Sequence, residues 1–159
     1  MQVLEIVVWA IMAFVLGGIP FGNLIAKARG EDLRKHGSGN IGATNALRVL
    51  GPALGVVTMV VDAAKGGILV ILIRHYHQDS LTLAMWLGTI AVLGPCFSPF
   101  LKFKGGKGGS TTLGVALAMH PMIALICLAI WAATIAISRY VSLGTMTATW
   151  CLAIAVNIW

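Results

Sequence analysis

The chain has 159 residues, of which 58% are hydrophobic and only 10% charged, and its mean hydropathy is +0.93. About a quarter of a soluble domain is charged, so this composition excludes a globular surface covered by solvated groups and identifies an integral membrane protein. The net charge of +6, from eleven Lys and Arg against five Asp and Glu, would suggest nucleic acid on a soluble domain; here the basic residues are grouped in loops between apolar segments, which reports membrane orientation and anionic ligands and no nucleic-acid partner.

A spanning helix needs roughly 20 apolar residues, which leaves room for about five or six segments, and the continuous apolar runs argue for helices over the alternating strands of a barrel. The first segment runs from about Val3 to Ala26 and contains Gly17, Gly18 and Pro20, tolerated in a membrane where neighbours satisfy the freed backbone groups. Residues 1–10 carry no Lys or Arg, so the expectation is a retained span and not a cleaved leader. A loop from Lys27 to Arg48 follows, with five basic residues.

The second segment is expected from Pro52 to Ile73, Pro52 suiting a first helical turn and Gly51 and Gly55 offering a small face for close helix contact. Within it Asp62 and Lys65 lie three apart on one helical face, either as a structural pair or as part of a polar site. The turn at 74–79 carries His75 and His77, but no carboxylate or cysteine framework accompanies them and no metal site is expected. The third segment runs from Ser80 to Leu101, its last turns loosened by Pro95 and Pro99. After a second polar loop, Lys102 to Thr112, residues 113–138 are divided by His120-Pro121 into a short helix to Met119 and a span from Pro121. Arg139 and Tyr140 form a brief break, and a sixth segment runs from Val141 to the end at Trp159. Cys96, Cys127 and Cys151 lie inside apolar stretches and read as packing residues.

The basic residues number five, one, three, none and one in successive loops. By the positive-inside rule the two glycine-rich loops and Arg139 are cytoplasmic and the N-terminus is outside.

Two stretches carry chemistry. His36 to Arg48 packs three glycines, a serine, a threonine and two asparagines ahead of Arg48, so backbone N–H groups, neutral donors and a guanidinium are available to one anion. Gly37 to Gly42 matches the G-x-G-x-x-G dinucleotide fingerprint by letter, but a membrane span precedes it where that fold needs a strand. Lys102 to Thr112 holds three lysines and four glycines; it fails the Walker A pattern because Leu101 and Gly108 stand where a glycine and a Ser or Thr are required.

Together these residues resemble a known family. Gly-Ser-Gly-Asn-x-Gly-Ala-Thr-Asn-x-x-Arg at 37–48, Phe-Lys-Gly-Gly-Lys-Gly at 103–108, Asp62-x-x-Lys65-Gly66 and Arg139-Tyr-Val-Ser-Leu143 are similar to motifs of the bacterial acyl-phosphate:glycerol-3-phosphate acyltransferases of the PlsY type, in the same order. The resemblance implies an all-α fold, a polytopic transmembrane bundle of about six segments, one of them short, forming a single domain over 1–159 in the bacterial inner membrane. It implies transfer of a fatty acyl group from acyl phosphate to the 1-hydroxyl of glycerol 3-phosphate, giving lysophosphatidic acid and phosphate, with membrane lipid around the bundle and neither metal nor other cofactor. Ser38, Arg48 and Lys107 are the implied catalytic residues. Gly37, Gly39, Asn40, Gly42, Thr44, Asn45, Lys104, Gly105, Gly106, Gly108 and Ser142 are the implied substrate- and phosphate-binding positions.

Three departures accompany the resemblance. Gly94-Pro95-Cys96-Phe97 stands where the family usually has Gly-His-x-Phe, and Gly17-Gly18-Ile19-Pro20 where it usually has Gly-Ser-Ile-Pro. The family closes on a further span with an Arg-His-x-x-Asn-Ile motif, so the chain is expected to be C-terminally incomplete relative to it. An inactive fragment or degenerate homologue, and an anion channel or transporter with lysine-bearing glycine loops, are the alternative readings.

Overall fold

The computed structural model describes residues 3–77 and 80–158; the last two positions of the expected turn at 74–79, and Trp159, lie outside them. All regular elements among the described residues are helical: α1 (Val3–Gly18), α2 (Phe21–Ala28), α3 (Ala43–Leu50), α4 (Pro52–Tyr76), α5 (Leu81–Cys96), a 3-10 turn (Pro99–Leu101), α6 (Gly109–Met119), α7 (Pro121–Ser138) and α8 (Val141–Ile158). Four stretches are long and apolar enough to cross a membrane, Val3–Ala28, Pro52–Tyr76, Leu81–Leu101 and Pro121–Ser138, and two apolar helices are shorter, Gly109–Met119 and the Val141–Val156 part of α8. The protein is a multi-pass helical membrane bundle.

The boundaries at Pro52 and Pro121 fall where expected, each proline occupying the first helical turn. Helix α4 runs on to Tyr76, into the turn expected at 74–79, and α5 ends at Cys96, short of the expected Leu101; three further boundaries differ. The first apolar segment is broken at Ile19-Pro20 into α1 and α2, because Pro20 lacks an N–H and folds an inverse γ-turn (φ −90°, ψ 74°) in which the Phe21 N–H donates to the Ile19 carbonyl at 3.1 Å. The loop expected over 27–48 ends in α3, whose Ala46, Val49 and Leu50 pack on Ala26 and Leu33. Helix α6 begins at Gly109, four residues before the expected Leu113, and at about 1.5 Å per residue its eleven residues are too short to cross a bilayer alone.

Small residues set the helix crossings. A Cβ at Gly17 would strike the Ala91 carbonyl and one at Gly94 would strike α1 at Phe14 and Gly18, so α1 and α5 approach backbone to backbone. Gly55 meets Leu47 in the same way between α3 and α4, and Gly114 meets the Ala63 carbonyl between α4 and α6. The buried core lies between these contacts, on Ala13, Leu69, Val70, Ile73, Ala84, Leu87 and Ala91. Much of the outer apolar surface is exposed to the bilayer, including Ile71, Trp86 and Ile126. Because the obstacle at Gly114 is backbone, Gly114→Val has no side chain to displace. It is expected to cost about 3 kcal/mol, the upper end of the overpacking range, measured as a lowered denaturation midpoint in detergent.

The packing also sorts the loops to two ends. His77 lies 3.8 Å from Glu5, and the Arg74 guanidinium donates to the Ala118 carbonyl at 3.4 Å, so the start of α1 and the ends of α4 and α6 share one end. The two glycine-rich loops and the Arg139 turn meet at the other, around one cleft.

Candidate active site

After Pro95, which sits in the last turn of α5, the chain turns through the 3-10 helix and two consecutive left-handed residues, Lys102 (φ 54°) and Phe103 (φ 60°). This reversal returns the second glycine loop to the end of α5, where the Gly105 and Gly106 N–H groups donate to the Cys96 and Pro95 carbonyls at 3.2 and 2.8 Å. Only glycine fits at 105, since a Cβ would strike both carbonyls. Ser98, fully buried, donates from Oγ to the Gly18 carbonyl at 2.6 Å and so ties this turn to the end of α1.

The first glycine loop is held from inside by Asn45. Its Nδ2 donates to the Leu33 and His36 carbonyls at 2.8 and 3.1 Å, and its Oδ1 accepts from the Ser38 N–H at 2.8 Å. Gly37 is left-handed (φ 62°) and presses on the Asn45 amide, a place no side chain could share. Asn40 Oδ1 accepts from the Gly42 N–H at 3.0 Å, forming an Asx turn that leads into α3. Arg34 joins the loops, Nη2 donating to the Lys104 carbonyl at 2.6 Å.

Between the loops lies an open cleft of about 750 Å³. Ser38, Arg48 and Lys107 all line it, as do Asn40, Gly42, Thr44, Asn45, Gly106, Gly108 and Ser142. Gly37, Gly39, Lys104 and Gly105 lie outside the lining: the two loop-one glycines are turn positions, Lys104 contributes its carbonyl to Arg34, and Gly105 is packed against α5. Thr44 and Arg48 are one helical turn apart on α3, so both reach the cleft while Ala46 and Val49 face the core.

Several lining residues lie outside the implied catalytic and binding positions, though the sequence marks Asp62 and Lys65 as either a structural pair or part of a polar site. Asp62, Lys65, Ser110 and Arg139 are among them, together with Thr145 and Thr149, which continue Ser142 along one face of α8 at i, i+3 and i+7. The signal was present in the spacing of those hydroxyls within an apolar helix. Four cations (Arg48, Lys65, Lys107, Arg139) face the cleft against one carboxylate (Asp62). The starts of α3 and α6 both lie on the lining, and neither has a side-chain cap. First-turn N–H groups with no partner among the described residues, and the positive end of the helix dipole, therefore add to the cations from two directions. An anion with two negative charges is the ligand such a cleft favours.

The chain matches the glycerol-3-phosphate acyltransferase family over residues 7–159. It is 46% identical over 142 residues to a glycerol-3-phosphate acyltransferase of Geotalea daltonii, covering 89% of this chain and 73% of that one. To the enzyme of the same name in Aquifex aeolicus it is 45% identical over 140 residues, covering 87% and 72%. Its fold is similar to crystal structures of PlsY, an integral membrane glycerol 3-phosphate acyltransferase. The glycerol 3-phosphate form gives a TM-score of 0.90 at 40% identity over 97% of this chain and 77% of that one, and the lysophosphatidic acid form 0.88 at 39% identity over 97% and 76%.

Proposed function

The chain belongs to the glycerol-3-phosphate acyltransferase family, and from that premise we propose that its cleft transfers a fatty acyl group from acyl phosphate to the 1-hydroxyl of glycerol 3-phosphate, releasing lysophosphatidic acid and phosphate. One observation carries the reading: two uncapped helix starts and an excess of cations converge on a single cleft in a membrane bundle. Both substrates present a phosphate, and acyl phosphate adds a chain that stays in the bilayer, since moving it to water costs about 0.8 kcal/mol per CH₂.

Acyl phosphate is a mixed anhydride and already activated, so no covalent enzyme intermediate is needed. Catalysis consists of holding the hydroxyl against the carbonyl carbon and stabilising charge on the carbonyl oxygen and the leaving phosphate. Arg48 and the α3 start hold one phosphate, while Lys107 and the α6 start neutralise the other as the C–O bond to phosphate breaks. Ser38, on the cleft wall with its N–H fixed by Asn45, orients the acceptor by its hydroxyl. Gly106 and Gly108 let the backbone approach closely, and Ser142 bounds the pocket from α8.

The single domain lies in the bacterial inner membrane with its N-terminus outside and the glycine loops cytoplasmic, the side on which both loops and Arg139 place their positive charge. Purified protein in lipid vesicles, given acyl phosphate and labelled glycerol 3-phosphate, is expected to yield labelled lysophosphatidic acid and an equal amount of phosphate. Phosphate uptake into the vesicles without acyl transfer would replace this reading with a transporter.

A further inference from the structure

The helix break at Ile19-Pro20 is a partition between two compartments. Gly18, Pro20 and Gly22 face the polar cleft, while Ile19 and Phe21 face a small apolar groove on the lipid side, lined also by Leu69 and Leu72 of α4. Lys65 borders both. Its ammonium lies 2.8 Å from Asp62 Oδ1, donates to the Ile19 carbonyl at 2.8 Å, and sits 5.8 Å from the centre of the Phe21 ring. The side chains of Lys65 and Asp62 are only 8% and 14% exposed.

We propose that Lys65 is a positioning residue for acyl transfer: held by Asp62, it fixes the Ile19-Pro20 break and through α2 sets the place of the first glycine loop. The mechanical link is short. The Ile19 carbonyl at the break accepts only the bent γ-turn bond from the Phe21 N–H along the chain, and Lys65 adds the charged donor that ties it to α4. Helix α2 starts immediately after, and its Gly22 lies against the Ile41 carbonyl with no room for a Cβ, so a shift of α2 is passed directly to the segment between Asn40 and Gly42. Asp62 keeps Lys65 aimed at the break; its Oδ1 has no other partner among the described residues.

The inference rests on the acyltransferase reading, and the test separates the two. Lys65→Met alone leaves Asp62 buried without its partner and is prone to misfold, so the deciding variant is Lys65→Met/Asp62→Leu, which removes both charges together. It is expected to keep wild-type helix content and elution in detergent. Its kcat/KM for transfer should fall about 30-fold, the loss typical of a hydrogen bond to a charged group. Without substrate, amide exchange should rise in peptides covering 19–24 and 36–45 and stay unchanged in α7 and α8. Lys65→Arg, which still reaches both partners, should restore most of the activity and the protection. Reduced transfer with unaltered exchange at 36–45 would overturn positioning in favour of direct substrate contact, and undiminished transfer would overturn any role. A wild-type protein without transfer would instead overturn the functional reading on which the inference stands.

Discussion

Arg48→Ala is expected to cripple acyl transfer, with kcat/KM reduced about 100- to 1,000-fold, and Lys107→Ala to do the same. Both side chains are exposed on the cleft and neither makes a hydrogen bond or ion pair with the described residues, so truncating them breaks nothing in the fold. What is lost is stabilisation of phosphate charge, and removing one preorganised donor of that kind costs about 3–4 kcal/mol in the transition state. The conservative variants distinguish the two positions. Arg48→Lys keeps the charge but not the planar fork that grips two phosphate oxygens, and should recover only a small part of the loss. Lys107→Arg keeps the charge at the start of α6 and should recover more. Steady-state rates with acyl phosphate and glycerol 3-phosphate varied independently decide the matter, and a wild-type rate in either alanine variant removes that residue from the mechanism.

The fold was legible in the sequence where a boundary is made locally. Pro52 and Pro121 end or begin helices by their own covalent geometry, and the continuous apolar runs required helices in a bilayer. It was not legible where distant residues make the boundary. The apolar stretch from Val3 to Ala28 carries Pro20 but gives no sign of what holds the break it makes, since Lys65 and Ser98 donate to the Ile19 and Gly18 carbonyls from 46 and 80 residues away. Helix α3 was hidden for a similar reason. Eight residues are too few to be helical alone, and α3 persists because one face packs on Ala26 and Leu33 and its back lies on Gly55 of α4.

The site divides in the same way. The glycine motifs announced a phosphate-sized pocket, and Ser38, Arg48 and Lys107 do share one cleft. Composition alone did not distinguish amides facing the cleft from amides consumed by the fold: the N–H groups of Gly105 and Gly106 go to the end of α5, and the open donors are those at the start of α6. Asp62, Lys65 and Arg139 were visible as charges in or beside apolar segments, but only the packing of α4 and α8 around the loops assigns them to the cleft wall.

Asn45 shows what this distinction predicts. Its side chain spends its donors on the Leu33 and His36 carbonyls and its acceptor on the Ser38 N–H, and it is 1% exposed, so its largest effect is on the shape of the loop that carries Ser38. Asn45→Ala leaves two backbone groups without a partner among the described residues, the Ser38 N–H and the carbonyl of fully buried Leu33, while the His36 carbonyl keeps the Gly39 N–H. At about 1–3 kcal/mol for a buried unsatisfied group, partly offset by water at the more open Ser38, the expected local cost is about 3 kcal/mol. Asn45→Asp should be worse despite its similar shape, because an ionised carboxylate still accepts from Ser38 but turns an oxygen toward the two carbonyls. Trypsin reads the opening directly, since Arg34 and Lys35 lie within the braced loop and Arg34 is held to the Lys104 carbonyl. When opening is fast relative to cleavage, cutting follows the open population, so the alanine variant should be cut about 100-fold faster there and the aspartate variant faster still. Transfer should fall in the same order. If transfer falls while cleavage at 34–35 keeps its wild-type rate, Asn45 acts on substrate and not on the loop.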